Sequence, residues 1–332
     1  GSINILGTVT LLSLGRGLID VTAWGILTSL LATLFFYRII KELLPKASLK
    51  PNFDRQIFLT LLKFGGFKLV GNVSGQVVFQ LDKLLIGIFR PIADVTFYMG
   101  PVMLVQKSFS ILANVTTAVF PAISASQGAG DITRIRDLYL RMTKLTVFLL
   151  LPFFTLLFIF ADKILLFWLG EEFALKSTMV LKILAPAYFI AALSSPGVTL
   201  LDGIGKPKIP AIFALISALI NLTVALIIIP QMGIQGAAWA LFINFLSQVP
   251  IFNYFANKII KIDNIEFIRL TYLKPAMANL VAALFCFGIT ELFNTPQWSL
   301  FCGVILFGVV YLLVNYLINT FDPEDKKVLA YI

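Results

Sequence analysis

A few charged side chains interrupt otherwise apolar stretches of this sequence: Lys63, Lys68, Lys83, Lys107, Lys182 and Asp82. A charge near the centre of a hydrocarbon layer costs at least about 2.5 kcal/mol on the mildest scale, so such residues face a partner or a wet cavity. Helical phase predicts a cavity. Taking Lys68 as origin and about 100° per residue, Gly75 lies at about −20°, Asn72 at about +40°, Lys83 at about +60°, Gln76 at about +80° and Gln80 at about +120°. Asp82 falls at about −40°, at the border of this face. Val70, Val73, Val77, Leu81 and Leu84 fill the other side, and Phe79 is the exception on the polar one. The next apolar run repeats the design, because Thr96, Gly100, Lys107, Ser110, Asn114, Thr117 and Pro121 step by helical spacings. Two neighbouring helices with one polar face each suit a water-filled cleft. Lys63 reads as interfacial. Lys68, Lys83, Lys107 and Lys182 against Asp82 leave a cleft of net charge about +3, which stabilises an anionic ligand. The candidate path residues are therefore Lys68, Asn72, Gln76, Asp82, Lys83, Lys107, Ser110 and Asn114. A plainer reading stays open. Asp82 and Lys83 pair with helix neighbours, and Lys68 and Lys107 reach back to the interface along their methylene stems.

Covalent and cofactor chemistry finds little support. The chain has no histidine, which removes His-based triads and zinc motifs. Its two cysteines, Cys286 and Cys302, lie in separate apolar runs and read as small packing residues. The string Gly203-Ile204-Gly205-Lys206-Pro207 has the wrong spacing for a phosphate-binding loop. No nucleotide, metal or other cofactor is expected.

The elements that must position these residues follow from composition. Of 332 residues, 59% are hydrophobic and 13% charged, and the mean hydropathy is +0.93. Soluble domains carry roughly twice that share of charge. The net charge is +9, but the basic residues sit in short connectors and not on one wet face, so nucleic acid is excluded as a partner. A bilayer-crossing helix needs about 20 apolar residues. Ten runs qualify or nearly so: 3–14 (short), 18–40, 57–89, 92–123, 138–160, 179–204, 209–229, 234–260, 273–292 and 298–319. They are too long for barrel strands and lack two-residue alternation. An all-α polytopic membrane protein of about ten transmembrane helices is the expected fold. Residues 162–178 read as the largest outer loop.

Charge then sets the orientation. Alternate connectors carry Arg38, Lys41, Lys46, Lys50 and Arg55; Arg134, Arg136, Arg141 and Lys144; Lys206 and Lys208; Lys258, Lys261, Arg269 and Lys274; and Lys326 and Lys327. The others hold only Arg16, Arg90, Lys163 and Lys176. The positive-inside rule places the first set, and the C-terminus, in the cytoplasm. A repeat adds a further expectation. Ile3-Asn4, Gly15, Gly17, Ala23-Trp24 and Arg38-Ile39-Ile40-Lys41 have counterparts in Ile220-Asn221, Gly233, Gly236, Ala238-Trp239 and Lys258-Ile259-Ile260-Lys261. The second copy has four helices ahead of its Asn, which predicts about 150 residues missing before Gly1. The chain then divides into 1–50, the end of a truncated first lobe with its linker; 51–261, a six-helix lobe; and 262–332, two extra helices and a tail. Pro196-Gly197, beside Ser194 and Ser195, is the expected helix bend, and Asn221 and Asn244 are expected to bond across helices.

Several strings together resemble a known family. They are Gln80-Leu81-Asp82-Lys83-Leu84-Leu85-Ile86-Gly87, Val119-Phe120-Pro121-Ala122-Ile123, Trp168-Leu169-Gly170 with Leu181-Lys182-Ile183-Leu184-Ala185, Gly205-Lys206-Pro207-Lys208, and Gly233-Ile234-Gln235-Gly236-Ala237-Ala238-Trp239. In order and spacing they resemble the polysaccharide flippases of the multidrug/oligosaccharidyl-lipid/polysaccharide exporter (MOP) superfamily. The resemblance implies a truncated two-lobe, twelve-to-fourteen-helix MATE-like transporter in the cell inner membrane. It implies a lipid-linked (polyprenyl-diphosphate) oligosaccharide as cargo, membrane lipids as partners, H⁺ or Na⁺ as a coupling ion, polysaccharide-assembly proteins as further partners, and no enzymatic step. A cation-coupled drug antiporter of the same superfamily is the alternative. A membrane-embedded assembly enzyme is disfavoured by short outer loops, and a non-transporting scaffold would not need polar faces at depth.

Overall fold

The structure, a computed structural model, describes residues 2–43, 53–290 and 296–321, and every regular element among them is helical. The chain separates into two compact units, Gly1–Phe58 and Leu59–Ile332. In the first, α1 (Ser2–Ser13) and α2 (Leu18–Leu43) form a hairpin. Nearly every side chain described in it is at least partly exposed, with Ile5, Leu12, Leu30 and Phe36 among the apolar ones.

The second unit contains α3 (Arg55–Phe89, from Leu59 onward), α4 (Ile92–Gly128), α5 (Ile132–Ile159), α6 (Ala161–Leu169), α7 (Glu171–Ala192), α8 (Ser195–Gly203), α9 (Lys208–Ile259), α10 (Asn264–Ile268), a π-helical turn (Arg269–Leu273), α11 (Lys274–Thr290) and α12 (Pro296–Leu317). Among the described residues, seven helical segments are long and apolar enough to cross a bilayer. With its 52 residues, α9 would be about 78 Å long if straight, more than twice a hydrocarbon core. It folds back at Gly233, whose φ of 59° and ψ of −133° suit a residue without a Cβ. The two arms give two crossings, as the separate runs 209–229 and 234–260 predict. Each of the ten apolar runs is met by a helix, and the chain is a multi-pass membrane protein.

Small residues bring the helices close. α7 sits at the centre of the unit, with Val180, Leu181, Leu184, Ala185 and Ala187 buried. It meets a face of α9 built from Ala225, Ala237, Ala238 and Ala240, the kind of surface that lets helix backbones approach in lipid. A second cluster joins α5 to α10, where Tyr139 stacks on Phe267 with centroids 5.4 Å apart. Arg136 bonds Glu266 at 2.6 Å beside it. α11 and α12 pack on α5 and α6. Tyr311 donates to the Phe148 carbonyl at 2.8 Å, and Asn279 donates to Thr155 at 3.0 Å.

The structure corrects the reading of residues 162–178 as an outer loop. They form most of α6 and the first turns of α7, separated by Gly170 at φ 90°. With nine residues, α6 is too short to register in a search for membrane-length runs, yet Ala161 and Leu165 bury completely. Glu171 and Glu172 occupy the first turn of α7, where the helix dipole favours acidic side chains. The expected crossing 179–204 accordingly starts earlier, and it breaks after Ala192. There Ser194 donates its hydroxyl to the Ala191 carbonyl at 2.7 Å, and Pro196 opens α8. The expected connector before α11 likewise holds a helix, because Asp263 accepts from the backbone N–H of Ile265 and Glu266.

Candidate functional site

α3 carries most of the candidate residues, and its burial pattern sorts them. Ser74, Val78, Asp82, Leu85 and Ile86 are the buried positions. They form a stripe centred near −70° on the scale used above, close to the predicted polar face and not opposite it. Asn72, Gln76 and Gln80 are exposed, and Lys83 is half-buried beside them. These amides recur every four residues, so successive side chains stand about 6 Å apart on one face. They line a shallow depression with Val73, Val77, Leu81 and Leu84. Lys83 donates to the Gln80 side-chain oxygen at 2.8 Å, which holds its charge over the amide row. The expected apolar back of the helix is therefore not its core, since Val73, Val77 and Leu84 are exposed. Lys107 is exposed on α4. Gly100 leaves the predicted polar face of α4 and packs against Leu169, where an added Cβ would approach within 2.7 Å. The side chains of Ser110 and Asn114 lie outside the described residues.

Asp82 departs from its predicted setting. It is 1% exposed, and its Oδ2 accepts from the Tyr98 hydroxyl at 2.8 Å. Asn221, on the first arm of α9, donates to the Val78 carbonyl one turn earlier on α3, at 3.4 Å. Asp82 Oδ1 and Asn221 Oδ1 are both buried and have no hydrogen-bond partner. Each leaves acceptor capacity unused inside the unit. Phase alone placed Asp82 at the edge of the polar face. The hydroxyl that makes its burial tolerable comes from another helix.

Lys68 stands one turn before Asn72, and its ammonium turns to another helix. It forms a short ion pair with Asp202 at the end of α8. Asp202 is 5% exposed, whereas the Lys68 side chain is 42% exposed. This pairing gives Lys68 a partner that neither earlier alternative, the cavity or snorkelling, included. It also revises the charge balance, because Asp202 had passed as part of an apolar run. Its signal was its place just ahead of the Gly203–Gly205 turn, where a helix end presents side chains to a neighbour. Lys182 is half-buried on α7. The cation beside the amide row is Lys83, and Lys107 is exposed on α4. Asn221 and Asn244 bond across helices as expected, the latter donating to Ser217 at 2.8 Å.

Comparison with known proteins places this architecture. Residues 3–178 match the model of a family described as polysaccharide biosynthesis protein. A Shigella flexneri protein named for O-antigen transport is 25% identical over 220 residues, which cover 64% of this chain and 52% of the relative. A Haloferax volcanii protein named for a flippase role in low-salt glycan biosynthesis is 22% identical over 274 residues, covering 81% and 56%. The chain thus spans about half the length of the curated relatives it matches. A solved lipid II flippase in an inward closed conformation shares the fold with a TM-score of 0.64 and 19% identity, over 96% of this chain and 66% of that one. The chain belongs to the polysaccharide biosynthesis protein family.

Proposed function

We propose that the protein to which this chain belongs flips a lipid-linked oligosaccharide across the cell membrane, with the unit Leu59–Ile332 supplying one wall of the cargo path. The observation that carries this reading is the exposed face of α3, where Asn72, Gln76 and Gln80 lead to Lys83. A row of amides offers paired donors and acceptors that suit sugar hydroxyls. A lysine at its end suits a diphosphate. The glycan and diphosphate cross along this face, and the polyprenyl tail stays in the bilayer. No bond is made or broken, so the protein acts as a transporter and not an enzyme. The cargo enters from the side that carries the basic connectors, which the positive-inside rule makes cytoplasmic. The C-terminus lies on that side of an inner membrane, and assembly proteins take up the exported product on the other side.

Coupling to H⁺ or Na⁺ belongs to the same proposal. The specific observation in its favour is the pair of unpaired buried oxygens on Asp82 and Asn221. A cation-coupled drug antiporter would use the same carboxylate, so the cargo-facing lysines decide between the two. In the full-length protein, Lys83→Ala or Lys107→Ala should preserve membrane expression and lower glycan export by tenfold or more. Lys→Arg should retain more export than Lys→Gln, because charge is the operative property. Asp82→Asn should abolish coupled export at normal expression. Wild-type glycan export with both lysines replaced by alanine overturns the assignment of this cationic face to the cargo path.

A further inference from the structure

A proline inside a helix leaves the carbonyl four residues earlier without its N–H, and within a membrane that carbonyl needs another donor. Two such carbonyls receive one from a neighbouring helix. Pro101 frees the Phe97 carbonyl on α4, and the buried Ser177 of α7 donates to it at 2.8 Å. Pro152 frees the Phe148 carbonyl on α5, and Tyr311 of α12 donates to it at 2.8 Å. The second carbonyl has further support beside it. Two turns on from Phe148, about 10 Å along the helix, Thr155 accepts from Asn279 of α11 at 3.0 Å. The α11–α12 hairpin therefore holds α5 on both sides of Pro152. Just past α5, Phe160 lies against Gly303, where an added Cβ would come within 2.4 Å of its ring. Lys163 donates to Ser299 there at 2.6 Å.

The sequence of α12 is spaced for this contact. Ser299, Gly303, Phe307, Tyr311 and Asn315 recur every four residues and are all buried. Ile305, Val309, Leu312 and Leu313 between them are exposed. One stripe thus meets α5 and α6, and the apolar remainder faces outward. Phe307 shows that a ring alone packs in this stripe, stacked on Tyr311 with centroids 6.2 Å apart. A hydroxyl there costs desolvation unless it meets an acceptor, and the acceptor it meets is the one that Pro152 releases. On its other side α5 is enclosed too, where Leu150, Phe154 and Leu157 join the core shared with α4 and α7. Long helices bend where a proline interrupts the ladder. We propose that the α11–α12 hairpin is a splint for α5: Tyr311 and Asn279 bridge the break at Pro152 and keep the two halves of α5 at one angle against α7. The bridge turns a point of flexure into a fixed one. The two C-terminal helices then have a mechanical role that needs no contact with cargo.

Hydrogen exchange of the full-length protein in lipid nanodiscs, read over residues 149–156 by mass spectrometry, tests this. Tyr311→Phe keeps the ring and removes the donor. It should speed exchange in that stretch about fivefold, as loss of one ordinary hydrogen bond does. Asn279→Ala should speed exchange in the same stretch, and neither variant should alter α3. Pro152→Ala returns an N–H to the Phe148 carbonyl, so adding Tyr311→Phe to it should change exchange by less than about twofold. Pro152→Leu supplies the same N–H should Pro152→Ala fail to express. Unchanged exchange in Tyr311→Phe overturns the proposal, because the hydroxyl would then be idle. So does an equal gain in α3, which would mean a general loosening. So does a gain from Tyr311→Phe that is as large with alanine or leucine at position 152 as with proline, because the bond would then serve packing and not the break. Glycan export is not the readout, so the outcome stands apart from the flippase reading.

Discussion

Removing the two ends of the Lys68–Asp202 pair should have unequal consequences. The aspartate is 5% exposed and the lysine side chain 42%. Lys68→Met removes the cation and leaves a carboxylate inside the protein with no counter-charge, while Asp202 Oδ1 already lacks a partner. Breaking a fully buried pair in this way costs about 3–5 kcal/mol. Water reaches this pair from the lysine side, so the expected cost falls to about 2 kcal/mol. Asp202→Asn leaves a neutral amide in place and a lysine that can extend into water, at a cost under about 1 kcal/mol. The double variant Lys68→Met with Asp202→Leu removes both charges and should recover most of the loss, as replacement of buried pairs by apolar residues commonly does. At about 2–4 °C per kcal/mol, Lys68→Met should lower the thermal transition of the detergent-solubilised protein by about 4–8 °C, and Asp202→Asn by about 2 °C or less. Fluorescence-detected size-exclusion chromatography after a heating series measures all three. A larger drop for Asp202→Asn than for Lys68→Met refutes the reasoning, because contacts of the carboxylate and not its unpaired charge would then be what the helix depends on.

The other predictions concern backbone, orientation and the cargo face. Gly233→Ala places a Cβ at φ 59°, where it would also lie 2.8 Å from Arg90 Nε, and should destabilise the α9 hairpin by about 1–3 kcal/mol; an unchanged thermal transition would show that the fold-back does not require glycine. Cysteines introduced in the 46–50, 128–130 and 264 connectors should resist an impermeant thiol reagent in intact cells, whereas one near Glu171 should react, and the opposite pattern reverses the orientation argued from charge. Loss of glycan export in Lys83→Ala and Lys107→Ala tests the cargo face.

How much of this was legible beforehand depends on whether a feature is local. Helix number, the break near Pro196 and the fold-back between the runs on either side of Gly233 follow from run length and breaker residues, which one chain segment contains in full. α6 was missed for the same reason. Nine residues carry no membrane-length signal, and the helix exists because Ala161 and Leu165 find a neighbour to bury against. The site divides along the same line. The amide row Asn72, Gln76 and Gln80 with Lys83 is a property of one helix face, and its spacing could be read directly. The fates of Lys68 and Asp82 could not, since each was settled by a group on another helix, Asp202 in one case and Tyr98 with Asn221 in the other.

A charged residue inside an apolar run therefore does not announce its role by phase alone. Lys68, Asp82 and Lys83 lie within about 100° of one another around α3, yet one is neutralised, one is enclosed and one faces outward. The enclosed residue is held by a hydroxyl that leaves one carboxylate oxygen unpaired. Packing alone gains nothing from that unpaired oxygen, because a leucine at this position would avoid the desolvation of a carboxylate altogether. The proton or cation coupling proposed above would supply the use that packing does not. This is why replacing Asp82 by asparagine, which keeps the shape and removes the charge, separates a role in coupling from a role in packing.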